Sequence, residues 1–285
     1  MIAGALLCGL ISMFSYGLAN TFTRPIIHRL GAARMLWVRG LAIVALLAVA
    51  ALPAYAHLAN WKAALAAVGI GVFGYLPPLA FSHGIKLSRI SIVTPIASTA
   101  PLITVILSTV FLHTKLHGLQ WWGIGVVVLA NVLASVNFRS LRDSNILKMA
   151  SGVPYALVAS VGWGVVAFLL VYATRWLGPW IASLLLEVGV VLAAAVHVWL
   201  RREPFVPKEA TRKDVMVNGA LIALGTLSFT IGLRSFNVGL VATLGNSNAV
   251  VSIIAATLWH HEHLTRAEKY VAGLMVFGVV LVSLA

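Results

Sequence analysis

Residues 153–174 read VPYALVASVGWGVVAFLLVYAT, an unbroken run of 22 positions without a charged side chain. A helix needs about 20 predominantly apolar residues to cross the ~30 Å hydrocarbon core of a bilayer, and a barrel strand needs about half as many. Lipid offers no partner to free backbone N–H and C=O groups, so a run of this length crosses as a helix. Only Arg175, Trp176, Leu177 and Gly178 separate it from a second run at 179–200. Working outward by the same rule places spans at 2–23, 33–54, 63–84, 90–112 and 118–138, then at 151–174, 179–200, 214–234, 238–260 and 267–285. The expected fold is all-α: a polytopic membrane protein of ten transmembrane helices.

The rest of the composition agrees. Of 285 residues, 61% are hydrophobic and 9% charged, far from the balance of a soluble domain. Ten spans leave short connections and no separate soluble domain. Met1-Ile2-Ala3-Gly4 leads straight into apolar sequence with no basic segment ahead of it, so the N-terminal run reads as the first span rather than a signal peptide. The single cysteine, Cys8, excludes an intrachain disulfide framework and a multi-cysteine metal site. A net charge of +13 raises nucleic acid as a partner, but the basic residues lie between apolar runs rather than along one face. The expected surroundings are the lipid of the cell inner (plasma) membrane, with a small-molecule substrate, no nucleic acid and no cofactor.

Polar stretches of any length occur only at Arg139–Lys148 and Arg201–Asp214. The first divides the chain into a five-helix repeat of residues 1–138, a linker of 139–150 and a second repeat of 151–285. Sliding the sequence by 147 sets Leu10, Gly17, Leu30 and Gly31 on Leu157, Gly164, Leu177 and Gly178, with Tyr16 opposite Trp163. At an offset of 148, Leu79-Ala80-Phe81-Ser82-His83-Gly84 faces Leu227-Ser228-Phe229-Thr230-Ile231-Gly232, and Leu116, Gly125, Val128 and Leu133 face Leu264, Gly273, Val276 and Leu281. Five crossings are odd, so the second repeat enters from the opposite side and the repeats are inverted. Inverted repeats place a substrate site near the midplane, around a central cavity that opens alternately to each side.

Polar residues inside the spans are the candidates for that site. Ser12, Tyr16 and Asn20 recur every four residues and form one stripe on span 1. The stripe reads either as part of the site or as hydrogen-bonded glue between helices. Span 4 carries Thr94-Pro95 and Ser98-Thr99-Ala100-Pro101, and its mate on span 9 carries Gly245-Asn246-Ser247-Asn248, with Ser98 opposite Asn246. Prolines free upstream carbonyls and asparagines both donate and accept, which suits a zwitterionic or multiply hydroxylated solute. Span 3 adds Tyr75, Pro77, Pro78 and His83, and span 8 adds Thr226 and Thr230. Pro77, Pro78, Pro95 and Pro101 are the expected bending points. Tyr16, Tyr75 and Trp163 offer π faces to a cationic or aromatic ligand. Trp121, Trp122, Trp176 and Trp180 sit near span ends as an interfacial belt. Glu187 is the one carboxylate within a span and Arg39 the one basic residue well inside, so both are candidates for coupling or charge recognition. Arg39 has the alternative of snorkelling to the headgroups. His260, His261, Glu262 and His263 carry ligand chemistry, but neighbours on a helix point about 100° apart and cannot share one ion, so no metal site is expected. Gly123, Gly125, Gly273 and Gly278 on spans 5 and 10 permit close helix contact, as in a homodimer.

Phe14-Ser15-Tyr16-Gly17-Leu18-Ala19-Asn20 resembles the aromatic-Gly-x-x-Asn signature of the EamA-type branch of the drug/metabolite transporter superfamily. Arg39 falls where that branch carries an arginine in its second span, and Trp259-His260-His261-Glu262-His263-Leu264 is similar to its Gly-Glu-x-Leu end of span 9. Leu112-His113-Thr114-Lys115-Leu116 departs from the pattern, with Thr114 where a glutamate is usual. The resemblance covers the whole chain. It implies a basket-like bundle with a cavity lined by spans 1, 3, 4, 6, 8 and 9 and export of amino acids, related metabolites or drugs. It also implies termini inside the cytoplasm. The charges imply the opposite, with 15 basic residues on the face of the 139–150 linker against Lys62, Lys115, Arg175 and Arg234 on the other. The expected function is a secondary transporter, not an enzyme. An intramembrane transferase is the rival, but the spans hold neither a Ser/His/Asp set nor paired carboxylates. A channel or scaffold is the third alternative.

Overall fold

A computed structural model describes residues 2–88, 90–113, 118–135, 152–205, 213–235 and 238–260, with 269–271, 273, 274, 277, 278, 280 and 281 beyond them. The described residues form helices joined by short turns, with no strand among them. Helix α1 (Ile2–Leu30) leads into α2 (Ala32–Ala50), and a 3₁₀ segment (Leu52–Ala59) leads to α3 (Trp61–Phe73). Asn60 caps α3 by accepting from the Ala63 N–H at 3.2 Å. Next come α4 (Leu76–Leu87), α5 (Ile90–Ala97), α6 (Ala100–Leu112) and α7 (Gly118–Ser135). Helix α8 (Val153–Leu200), α9 (Lys213–Ser235), α10 (Val238–Asn246) and α11 (Asn248–His260) complete the order. Among the described residues five stretches are long and apolar enough to cross a bilayer: α1, α2, α3 with α4, α8 and α9. At 48 residues α8 is long enough to cross twice.

The helices outrun the apolar runs that announced them. Helix α1 continues through Arg24 and Arg29 to Leu30 instead of stopping at 23, and the first arm of α8 continues to Leu177 instead of stopping at 174. Hydropathy marks only the thickness of the hydrocarbon, whereas a helix persists into the headgroups because its backbone stays bonded. Each is stopped by one glycine: Gly31 with φ 78° and ψ 160°, and Gly178 with φ 75° and ψ 162°. That backbone region is essentially closed to any residue with a Cβ. The two glycines are the pair matched at offset 147.

Three expected single spans are instead broken helices. The chain interrupts at Gly74–Tyr75 between α3 and α4, at Ser98–Thr99 between α5 and α6, and at Ser247 between α10 and α11. Pro77, Pro78 and Pro101 each lie in the first turn of the helix after a break, where a missing N–H does no damage. Pro95 lies inside α5, three residues ahead of its break.

Packing brings distant parts of the sequence together through small residues. A Cβ on Gly17 would strike Val251 and sit 2.8 Å from the Asn248 carbonyl oxygen, and one on Gly164 would strike Ile103 and sit 2.8 Å from the Ala100 carbonyl oxygen. Ser252 Oγ donates to the Gly17 carbonyl at 3.1 Å, and Thr104 Oγ1 donates to the Gly164 carbonyl at 3.1 Å. Gly84 packs on Val93 and Tyr155, Gly232 on Val241 and Cys8. Each contact is the counterpart of the other under the sequence offsets. Outside the core, large apolar side chains such as Leu7, Val49, Trp122 and Leu200 are exposed, the reverse of a soluble protein and suited to lipid. Gly278 packs on Val126 and Val127 of α7 within the chain, so that part of the surface expected to receive a second copy is already used; Gly125 and Gly273 face open space.

Candidate functional site

The helix breaks converge on a cavity of about 170 Å³. Helix α1 contributes Tyr16, Asn20 and Thr23, the α5–α6 break contributes Thr94 and Ser98, and the α10–α11 break contributes Asn246 and Asn248. The α4 region adds Pro78, Phe81 and Ser82, α9 adds Thr226 and Phe229, and the first arm of α8 adds Trp163, Val166, Ala167 and Leu170. Arg39 of α2 and Glu187 of the second α8 arm also reach the lining, so spans 2 and 7 join the six spans expected from the resemblance.

Breaking a helix frees carbonyls, and the polar residues there serve them first. Asn246 Nδ2 donates to the Ala242 carbonyl at 2.9 Å, Ser247 Oγ to Thr243 at 2.8 Å and Asn248 Nδ2 to Gly245 at 3.3 Å. Having given its amino group to the chain, Asn248 turns its Oδ1 outward, where it accepts from Ser98 Oγ at 3.3 Å and Asn20 Nδ2 at 3.4 Å. The α1 stripe divides between the two roles expected of it. Ser12 is helix glue, donating to the Gly225 carbonyl at 2.9 Å, whereas Tyr16 and Asn20 line the cavity.

The two charges have separate supports. Glu187 accepts from Thr226 Oγ1 at 3.3 Å, and Thr226 accepts in turn from the Tyr16 hydroxyl at 3.2 Å. Arg39 Nη1 donates to Asn218 Oδ1 at 3.5 Å. Arg39 is 9% exposed and turned into the cavity, so it does not snorkel to the headgroups. The ion pairs among the described residues lie elsewhere, Arg29–Asp214 at 2.6 Å and Arg34–Glu203 at 3.1 Å. Two buried atoms of the lining have no hydrogen-bond partner among the described residues: Arg39 Nε and Thr94 Oγ1.

Several expected site residues stand outside the lining. Tyr75 bonds His197 Nδ1 at 2.8 Å, His83 bonds the Leu79 carbonyl at 2.9 Å and stacks on Tyr155, and Thr230 donates to the Thr226 and Leu227 carbonyls of its own helix. Each is bonded within the protein and is not part of the lining. Pro77 packs against Gly162, and Pro101 is also absent from the lining, while the Pro95 side chain lies outside the described residues. His261, Glu262 and His263 lie outside the described residues. Conversely, Thr23, Phe81, Ser82 and Phe229 line the cavity without having been singled out. A signal existed for two of them, because Phe81 and Phe229 face each other in the 148 offset.

The offsets organise the lining further. Tyr16 and Trp163, Phe81 and Phe229, and Ser98 and Asn246 are matched positions on which both members reach the cavity. So are Asn20 and Ala167, Thr23 and Leu170, and Thr226 and Pro78, but there one member is polar and the other apolar. The site is therefore matched in position and polarised in chemistry.

Comparison with known proteins agrees with this architecture. A crystal structure superimposes with a TM-score of 0.76 over 99% of this chain and 97% of its own, at 18% identity, which speaks to the fold. Sequences from Escherichia coli K12 and from the O6:H1 strain CFT073, each named "Uncharacterized inner membrane transporter YedA", are 26% identical over 196 residues. That match takes in 66% of this chain and 60% of the relatives' length. The pattern of the EamA-like transporter family matches residues 3–136 and again residues 150–284. The chain belongs to the EamA-like transporter family, and its long apolar helices fit a multi-pass membrane protein.

Proposed function

We propose that the protein is a secondary transporter of small polar metabolites, such as amino acids or related compounds, that exports them across the inner membrane by alternating access. In this reading its ten spans form two inverted five-helix repeats, 1–138 and 151–285. One observation carries it: the breaks of the matched helices meet in a single cavity, with Ser98 at one bonded to Asn248 at the other. Broken helices facing each other at a repeat interface expose backbone groups to a solute while remaining shielded from lipid. The reciprocal contacts of Gly17 with Gly164 and of Gly84 with Gly232 support a two-fold relation, and the odd number of spans per repeat makes it inverted. The double match of the family pattern supports it too. The cavity is smaller than the roughly 300–1,000 Å³ typical of drug-sized pockets, which favours a small metabolite over a drug. The inner membrane follows from the relatives' name and the excess of basic residues on one face.

Reconstitution into liposomes tests the mechanism. Vesicles preloaded with an unlabelled metabolite should accumulate the labelled compound transiently by exchange, with saturation. Linear, non-saturating flux would identify a channel, and chemical conversion of the compound an enzyme.

A further inference from the structure

The cavity holds an arginine and a glutamate at two levels, and each level is built by its own residues. At the first, Asn218 donates its amide hydrogens to the Ala19 carbonyl at 2.7 Å and to Thr23 Oγ1 at 3.4 Å, which fixes the amide and turns Oδ1 toward Arg39. Among the described residues that long contact is the one protein bond to the Arg39 guanidinium, whose Nε is buried without a partner there. A guanidinium has five donors in a rigid fork and stays charged, so in a membrane interior it calls for an anion. At the second level, Tyr16 and Thr226 donate in series to Glu187, which is 8% exposed.

Two helices set the distance between the levels. Asn218 and Thr226 are eight residues apart on α9, about 12 Å along the axis, and Thr23 and Tyr16 are seven apart on α1, about 10 Å. The charges face one cavity from supports two turns apart, and no ion pair joins them. At the matched positions, the first arm of α8 offers Ala167 and Leu170 where α1 offers Asn20 and Thr23.

We propose that the cavity is a two-pole site for a dipolar ion with an apolar side group. The acid group lies on Arg39, the ammonium on Glu187 with Tyr16, and the side group against Ala167 and Leu170. This assignment rests on the cavity being the transport site. A solute with one charge leaves the other pole unanswered, so both charges are required.

The test keeps the carbon skeleton and changes the charge. Purified protein in detergent is melted with leucine, leucinamide or 4-methylpentanoate, and with phenylalanine, phenethylamine or 3-phenylpropanoate. A dipolar member should raise the melting temperature, and its singly charged analogues should need at least about tenfold more compound for the same shift, as loss of one charge-assisted contact predicts. Arg39→Gln should make leucinamide as effective as leucine, and Glu187→Gln should do the same for 4-methylpentanoate, a crossed pattern that loss of structure does not produce. If either variant fails to fold, the wild-type series decides. Equal shifts from singly and doubly charged members in the wild type, or variants that melt normally and lose all responses together, would overturn the assignment. Neutral sugars and nucleosides complete the panel. A shift with these and none with dipolar ions sinks the charge assignment and leaves the transport reading standing, whereas no shift with any compound sinks both.

Discussion

Asn218 shows how a residue with no place in the cavity wall governs one that has. Its amino group is held by Ala19 and Thr23, so its oxygen is what Arg39 meets. Asn218→Asp puts a carboxylate where that oxygen lies and answers the guanidinium from within. The melting temperature should fall, because the oxygen that replaces the amino group faces the Ala19 carbonyl, and the shift given by an acid-bearing solute should disappear; calorimetry with and without solute reads both. Asn218→Leu should also destabilise, by about 1–3 kcal/mol, because a buried donor then loses its acceptor, but it leaves the guanidinium free for the solute. Thr94 is the converse case, a buried hydroxyl without a partner in the lining. Thr94→Val removes an unsatisfied group at nearly constant shape, so stability should be unchanged or raised. Weaker solute binding in the same variant would mark the hydroxyl as a substrate contact, and unchanged binding would remove Thr94 from the site.

At the scale of the helix, turns and close crossings depend on residues without side chains. Gly31 ends α1 in a conformation that alanine tolerates at a cost of about 1–3 kcal/mol, and no atom lies near enough for a steric clash to add to it. Gly178 adopts the same conformation, with Arg234 and His57 side chains near it. Gly31→Ala and Gly178→Ala should therefore lower the melting temperature by similar amounts, the second at least as much as the first, followed by intrinsic tryptophan fluorescence. Gly17 and Gly164 act differently, because a Cβ there meets a backbone carbonyl that cannot rotate aside. Gly17→Val and Gly164→Val should both separate their helix crossings and abolish solute binding. If one were tolerated and the other not, the reciprocal packing would lose its significance.

At the scale of the whole molecule, the ion pairs among the described residues gather on one face. Arg29 and Arg34, flanking the α1–α2 turn, pair with Asp214 in the first turn of α9 and Glu203 just beyond α8, and Trp37 Nε1 donates to the Phe205 carbonyl at 2.9 Å. Pairs with side chains 25–33% exposed contribute at most about 1 kcal/mol each, weak enough to break when that face opens. Arg29→Cys with Asp214→Cys, joined by a short bismaleimide, should block exchange in proteoliposomes and leave solute binding intact; undiminished exchange would show that this face does not open. Orientation belongs to the same scale. In a Cys8→Ser background, a cysteine added at the C-terminus should react with an impermeant maleimide on intact cells if the basic face is cytoplasmic, and absence of label would reverse the topology.

Sequence by itself determined the solvent and the element type, because a 22-residue run without charge has one stable arrangement in lipid, and it placed Gly31 opposite Gly178 and Phe81 opposite Phe229 before any coordinate was known. It also marked Tyr16, Asn20, Ser98, Asn246 and Asn248 by their spacing. What it did not settle was which polar residues face a cavity and which face a neighbouring helix: Tyr75, His83 and Thr230 read like Tyr16 and Thr226, yet bond to protein outside the cavity. The distinction depends on how each helix is rotated against its neighbours, which tertiary packing alone fixes, through contacts such as Gly17 on Val251 that lie more than 200 residues apart. The same packing brought Asn218 to Arg39 and left Glu187 beyond the reach of an ion pair, so the electrical character of the site was decided by the assembled fold.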